Sequence, residues 1–334
     1  MRRRGLVLSG TAVGLLAVCA AAVGLYWALS PRRPGAATVV FQVAPGQSLG
    51  AIARGLEREG LVRSARAVEW TARLRGLDGA LRSGEYALSA ALSPGAILSQ
   101  LANGRTITYP VVLPEGFTAA QIGARLAAAG LVDAPAFAQA VRDPELIRSL
   151  GIEAASLEGY LFPETYLLPR GLAAAEVARL LVEHFLDVWR ELEPLAAAQR
   201  LTQHQLVTLA SMVEKETAVP AERPRVAAVF RNRLRRGMRL ESDPTVIYGI
   251  DGFDGNLRRR DLEDARNPYN TYQIAALPPG PIASPGAASL RAVLSPAPTN
   301  DLFFVSRNDG SHVFSSSFEA HTRAVAQYQK PATR

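Results

Sequence analysis

The residues best suited to proton transfer fall in one short stretch. Ser211-Met212-Val213-Glu214-Lys215-Glu216-Thr217 (SMVEKET) closes the apolar run Leu206–Ala210 with two carboxylates around a lysine. Lysine is rare here: 35 of the 37 basic residues are arginine, and Lys215 and Lys330 are the exceptions. On a helix turning about 100° per residue, with Leu206 as the reference direction, Leu209, Ala210, Val213 and Thr217 share one face. Glu214 then lies about 80° to one side, over Val207 and Ala210, and Glu216 about 80° to the other, over Leu209 and Met212. Lys215 points to the opposite face. Both carboxylates sit on the margins of the buried stripe, where partial loss of water favours the protonated form that a general acid needs. Helical phase does not choose between them. Two alternatives compete. One is a plain solvated helix end. The other is a Ser-Lys hydrolase built on Ser211 and Lys215, one turn apart, but the lysine faces away and no oxyanion segment is evident.

The following helix places Arg233 in the middle of an apolar face formed by Val226, Val229 and Phe230. A guanidinium there needs a carboxylate partner, and Glu214, Glu216 and Glu158 are the candidates. Five of the nine tyrosines (Tyr160, Tyr166, Tyr248, Tyr269, Tyr272) and three asparagines (Asn232, Asn267, Asn270) fall between Glu158 and Tyr272. Aromatic faces ringed by amides and carboxylates suit a sugar site, although Tyr and Asn are also common turn residues. The four histidines form no HExxH or Cys/His cluster, so neither a metal nor a cofactor is expected. The single cysteine, Cys19, allows no internal disulfide.

These groups need elements to hold them. A chain of 334 residues with 48% hydrophobic and 20% charged residues fits a folded protein of one to three domains. The net charge of +7 owes much to Arg2, Arg3, Arg4, Arg32 and Arg33, which flank an apolar run; the remainder is nearly balanced. That distribution is a membrane-topology signal, and it argues against nucleic acid as a partner. The 24 residues Leu6–Leu29 carry no charge, enough to span ~30 Å of hydrocarbon. Tyr26 and Trp27 stand at the far end, where aromatics favour the interface. A cleaved signal peptide is the alternative, but its apolar core is usually shorter and Tyr-Trp is a poor cleavage site. Val18 before Cys19 is unsuited to a lipoprotein signal. The expectation is a short cytoplasmic N-terminus (1–5), a transmembrane helix (6–29), a Pro/Gly linker (30–37), and everything beyond on the extracytoplasmic side of the bacterial cytoplasmic membrane.

Beyond the linker, VAPGQSLGAIARGLEREGLV resembles VLPEGFTAAQIGARLAAAGLV, displaced by 70 residues. Gly46 matches Gly116, Ser48 matches Thr118, Ile52 matches Ile122, and Gly60-Leu61-Val62 matches Gly130-Leu131-Val132. The shared unit is strand, Gly turn, Ser/Thr cap, helix, Gly stop. Helices are expected near Ala65–Arg75, Gly171–Arg190, from Thr202 with Gln205 in capping-box register, and over Pro220–Arg236. SLEGYLFPETYLLP reads as a loop or broken strands. DPTVIYG, NPYNTY, LPPGPIASPG and DLFFVSRNDGSHVFSS read as short strand-like pieces and turns. The fold class is α+β: the anchor, a βααβ module (38–108), and a larger mixed α+β domain (109–334).

The first module resembles LysM, a βααβ unit that binds N-acetylglucosamine-containing glycans, through its PGQSLGAIA turn. The chain as a whole is similar to the YceG-like endolytic murein transglycosylases (the MltG family). The resemblance is carried, in order, by SLEGYLFPETY, ASMVEKETAVPAERPRVAAVFRNRLRRGMRLESDPTVIYGI, NPYNTYQIAALPPGPIASPG and DLFFVSRNDGSHVFSSSFEAH. Ala276 stands where the family usually has Gly. The resemblance implies a membrane-anchored lyase that cuts nascent peptidoglycan strands internally, between N-acetylmuramic acid and N-acetylglucosamine, leaving 1,6-anhydro ends. It implies glycan polymerases at the membrane surface as partners. The first glutamate of the family's VEKET motif, the catalytic one, maps onto Glu214. Candidate substrate-binding residues are Glu158, Tyr160, Glu216, Asn232, Arg233, Asp243, Thr245, Tyr248, Asn270 and Tyr272. A non-enzymatic glycan-binding scaffold is the competing expectation.

Overall fold

A computed structural model describes residues 3–329, with side chains at Val13 and from residue 15 onward. The chain divides into two compact units, Met1–Tyr109 with Leu167–Leu172, and Pro110–Tyr166 with Ala173–Arg334.

The first unit begins with helix α1 (Arg3–Leu29). Among the described residues no helix is long and apolar enough to cross a membrane. The expected span starts in residues 6–12, whose side chains lie outside the described set. Residues 30–37, expected as a linker, are tied to the unit. Arg33 N–H donates to Ala90 O, and Ser89 Oγ donates to Ala36 O. β1 (Thr38–Val43), α2 (Leu49–Arg58), α3 (Ala65–Leu74) and β2 (Gly84–Ser89) follow in βααβ order, then α4 (Pro94–Ala102). β1 and β2 pair antiparallel from Thr38↔Ser89 to Val43↔Gly84. Phe41, Ile52, Leu56, Val68, Tyr86, Leu88, Ile97 and Leu101 fill the core between strands and helices.

The second unit opens in β3 (Thr108–Val112) and continues through α5 (Ala119–Ala128), α6 (Ala134–Ala140) and α7 (Pro144–Ser149). β4 (Thr165–Pro169) follows, its last three residues belonging to the first unit, and then come α8 (Ala174–Ala198), α9 (Gln203–Glu216), α10 (Arg223–Arg235), α11 (Asp243–Tyr248) and α12 (Arg259–Glu263). α13 (Ala287–Leu294), β5 (Phe303–Ser306), β6 (His312–Ser315) and α14 (Phe318–Tyr328) complete it. The internal echo is visible as structure. Gly46 and Gly116 both take left-handed turns (φ 71° and 75°), and Gly60 and Gly130 stop their helices at φ 73° and 67°. Ser48 and Thr118 cap α2 and α5 through their hydroxyls. Thr202 and Gln205 form the reciprocal capping box that opens α9.

One expectation changes. DPTVIYG is helix α11, not strand: Pro244 occupies its first turn and Thr245 Oγ1 donates back to Ser242 O, which outweighs the β-branched content. The SLEGYLFPETYLLP segment, expected as a loop or broken strands, ends in strand β4. β5 and β6, expected only as strand-like pieces and turns, pair as an antiparallel hairpin in register Phe303↔Ser315 to Ser306↔His312.

α9 is the centre of this unit. All eight residues from Leu206 to Val213 are buried, so the helix has no polar face along that length. α8, α10, α11 and α13 pack around it. The single buried stripe expected from helical phase is therefore too simple. Of the two buried polar side chains within the run, Ser211 Oγ donates to Thr208 O and accepts from Ile282 N–H, whereas Thr208 Oγ1 has no hydrogen-bond partner among the described residues.

Candidate active site

Glu214 lies where α9 emerges from its surroundings, and its side chain is 5% exposed. Three pieces of chain converge on it. After α9, Thr217 Oγ1 accepts from Val219 N–H and donates to Glu222, and a 3-10 turn at Pro220–Glu222 reverses the chain. His312 of β6 holds Glu222 through its main-chain N–H and Nδ1. The reversal brings Arg223, the first residue of α10, back onto α9. Its Nη2 donates to Glu214 Oε1 at 3.0 Å.

The second piece is the loop before α13, where Gly286 N–H donates to Glu214 Oε2 at 3.0 Å. The third is the loop between β3 and α5. It is stitched to the second by Gly116 N–H to Ser284 O and Ser284 N–H to Phe117 O. Lys215 is exposed, but its Nζ reaches the Gly116 carbonyl at 3.3 Å and secures that loop. The loop delivers a second carboxylate. Glu115 is 46% exposed, and its Oε2 accepts from the same Arg223 Nη2 at 3.4 Å. Burial raises the Glu115 carboxyl above its ordinary range; the Glu214 charge adds to this and Arg223 opposes it. Both carboxylates thus share one guanidinium.

The other candidates form two groups and a set of structural residues. Glu158, buried, accepts at both oxygens from Ala119 N–H at the start of α5, and Tyr248 Oη–H donates to its Oε2 at 3.1 Å. Burial pushes its carboxyl up to about 7 against those hydrogen bonds. Glu158 and Tyr248 line a mainly apolar cavity of about 660 Å³ with Thr118, Phe137, Val141 and Arg142. Thr118 and Ala119 of its wall directly follow the loop that carries Glu115. In the second group, Ser242 Oγ donates to Glu216, whose carboxyl burial also raises to about 7, and Tyr272 Oη–H donates to Asp243 at 2.7 Å.

The remaining candidates serve the fold. Tyr160 is fully buried edge-on to Phe185, with its hydroxyl against His204. Thr245 is fully buried and bonded to Ser242 and Thr271. Asn270 spends its amide on the carbonyls of Asp261, Leu262 and Asp264. Asn232 donates to Thr299 O and Asp301 O. Arg233 pairs with none of the three glutamates expected for it. Its partner is Glu241 at 2.8 Å, and it also bonds the carbonyls of Leu302, Arg239 and Leu240. These side chains are buried and their polar groups are engaged within the fold, although Asn232 also lines a cavity of about 490 Å³.

The sequence reading passed over Glu115, Arg223 and Gly286. One signal for Glu115 was present: in the internal echo it stands opposite Pro45, so the second copy carries a carboxylate where the first has none. Arg223 was overlooked among many arginines, and the Gly286 amide is recognisable only once the loops meet.

The arrangement defines an α+β protein whose second unit presents a nearly buried carboxylate, fixed by a guanidinium and a backbone amide, at the end of a central helix. This chain belongs to the YceG-like family, which matches residues 41–327. It is 29% identical over 307 residues to the endolytic murein transglycosylase of Bacillus subtilis, covering 87% of this chain and 85% of that one. It is 28% identical to the protein of the same name from Streptococcus pneumoniae, spanning 58% of that longer relative. The crystal structure of a YceG-like protein from Listeria monocytogenes, 28% identical, superposes with a TM-score of 0.60 over 87% of this chain and all of that one.

Proposed function

We propose that this chain is an endolytic peptidoglycan transglycosylase, a lyase that cuts glycan strands between N-acetylmuramic acid and N-acetylglucosamine and so ends strand elongation. Glu214 is its acid and base. As an acid it gives its proton to the glycosidic oxygen while the C1–O bond breaks. As a carboxylate it then takes the proton of the same sugar's C6 hydroxyl as that oxygen bonds to C1. No water is consumed, and the product is a 1,6-anhydro end. One carboxylate serves both steps because the nucleophile belongs to the substrate, unlike the two-carboxylate hydrolases. The observation that carries this reading is the Glu214 carboxylate itself, 5% exposed and held at both oxygens by Arg223 and Gly286 N–H. Such a group is aimed and largely shielded from bulk water.

Glu158, Tyr248, Glu216, Asp243 and Tyr272 are the residues we assign to sugar binding near this centre. The βααβ unit contributes glycan binding of the LysM kind. We assign that binding to a cavity of about 480 Å³ lined by Gly46, Gln47, Ser48, Asp78 and Gly79. The apolar run at residues 6–29 anchors the chain in the cytoplasmic membrane with the rest outside, next to the glycan polymerases whose product it cuts.

The test is incubation of the full chain with uncrosslinked glycan strands and mass spectrometry of the new ends. The expected products are anhydro ends. Glu214→Gln should lose them by at least the ~10²–10⁴-fold that proton transfer contributes. Anhydro ends from that variant at the native rate would overturn the assignment. Ends that have gained water would indicate a hydrolase, and strand binding without cleavage would indicate a scaffold.

A further inference from the structure

The position of Arg223 poses a physical problem for an acid catalyst. A guanidinium 3.0 Å from Glu214 Oε1 favours the carboxylate and works against the protonated acid that the first step requires. The structure contains a counterweight. Glu115 Oε2 lies 3.4 Å from the same Nη2. Neither carboxylate holds Arg223 in the two-pronged fork that fixes an arginine to one partner. The guanidinium's Nε, also buried, has no hydrogen-bond partner among the described residues. Arg223 is thus committed to neither carboxylate and close to both.

We propose that Glu115 is a positioning residue of the reaction: it shares Arg223 with Glu214, so the guanidinium shifts its weight to Glu115 when Glu214 is protonated and back when Glu214 is ionised. The inference rests on the reading of Glu214 as acid and base. Glu115 makes no bond to substrate in this scheme and moves no proton. Its negative charge makes the acid form of Glu214 accessible, and Arg223 restrains Glu214 in the base form.

Among the described residues, the neighbouring charged groups are engaged elsewhere. Lys215, on the same helix, directs its ammonium to the Gly116 carbonyl. Glu216 turns to Ser242 of the segment before α11. Glu222, preceding α10, is occupied by His312 and Thr217. The loop before α13 contributes only the neutral amide of Gly286. The local geometry also leaves room for the second carboxylate. The Glu115 side chain occupies the space that a Cβ would take at Gly286, next to the amide that holds Glu214.

The experiment is the pH profile of kcat/KM for anhydro-end formation, using the full chain and uncrosslinked glycan strands. Activity that depends on a protonated acid is lost on the alkaline limb. Removing the negative charge in Glu115→Gln leaves Arg223 to Glu214 alone, so this limb should move to lower pH by about one unit, the lower end of what one nearby charge does. Arg223→Gln should move it to higher pH. Glu115→Asp, which keeps the charge, should leave it near the wild-type position. A merely structural role for Glu115 would lower the rate equally at all pH values without moving the limb, and that result overturns the inference. Glu115 is half-exposed, so Glu115→Gln is expected to fold; the opposite shift in Arg223→Gln provides an independent arm. The failures are distinguishable. An unmoved limb with an inactive Glu214→Gln sinks only the role of Glu115, whereas an active Glu214→Gln sinks the underlying mechanism.

Discussion

Glu115 rests on the backbone of Gly286: a Cβ built at Gly286 would fall 1.8 Å from Glu115 Oε1 and 2.2 Å from its Cδ. The main chain there has φ −76°, which any residue adopts, so only the side-chain contact demands glycine. The atoms in the way belong to the flexible end of a half-exposed glutamate. Gly286→Ala should therefore fold with a melting temperature within a few degrees of wild type. It should nevertheless displace Glu115 from Arg223 and shift the alkaline limb of activity in the same direction as Glu115→Gln. Thermal melts paired with pH–rate profiles check this. A large loss of stability with an unmoved limb would refute it.

Gly159 presents the opposite case. Its φ is +84°, and an added Cβ would sit 2.3 Å from Pro281 Cβ and 3.0 Å from Val207 Cγ1. Neither neighbour is the end of a long chain that can swing away. Val207 belongs to α9, and Pro281 precedes the loop that presents the Gly286 amide. Gly159→Ala should cost about 3 kcal/mol or more, from left-handed strain together with overpacking. Urea unfolding measures this, and a variant within about 1 kcal/mol of wild type would contradict it.

Much of this unit was legible in the sequence because its signals are local. The Thr202–Gln205 capping box, the Gly stops and the strand-like pieces that become β5 and β6 depend on neighbouring residues, and each appears in the structure. Local reading failed where tertiary contacts decide. Helix α11 is a different case, a misreading of local signals: Pro244 and the Thr245 back-bond outweigh its β-branched residues. Arg233 found Glu241 eight positions along the chain, rather than Glu158, Glu214 or Glu216. The site followed the same rule. Glu214 lay within a readable motif, but its setting combines residues separated by 108 positions between Glu115 and Arg223 and by 72 between Glu214 and Gly286. No periodicity within one element can report such a meeting.

Ser211 separates the acid–base reading from a serine nucleophile. Its hydroxyl is fully buried and occupied at both ends, donating to Thr208 O at 2.7 Å and accepting from Ile282 N–H at 3.1 Å. Ser211→Ala leaves the Ile282 amide buried without an acceptor, which costs about 1–3 kcal/mol. Anhydro-end formation below the melting temperature should remain within a few-fold of wild type. Abolished turnover in a variant that still melts cooperatively would restore the Ser211–Lys215 hydrolase to consideration.

Glu158 and Glu216 make stability depend on pH in a direction opposite to that of ion-paired carboxylates. Burial raises both carboxyls from the ordinary 4.5 to about 7. Between those values the folded chain holds more protons than the unfolded one, so stability falls as pH rises. The contribution is complete below about 4.5 and is lost as pH passes through about 7. Above that range these groups add no further slope. Glutamine at either position keeps an amide oxygen for the same donors: Ser242 at Glu216, and Ala119 N–H and Tyr248 at Glu158. Glu216→Gln and Glu158→Gln should therefore each flatten the decline in melting temperature between pH 5 and pH 8, and the double variant should flatten it further. Identical slopes in wild type and all three variants would mean that neither buried carboxyl governs the pH dependence of the fold.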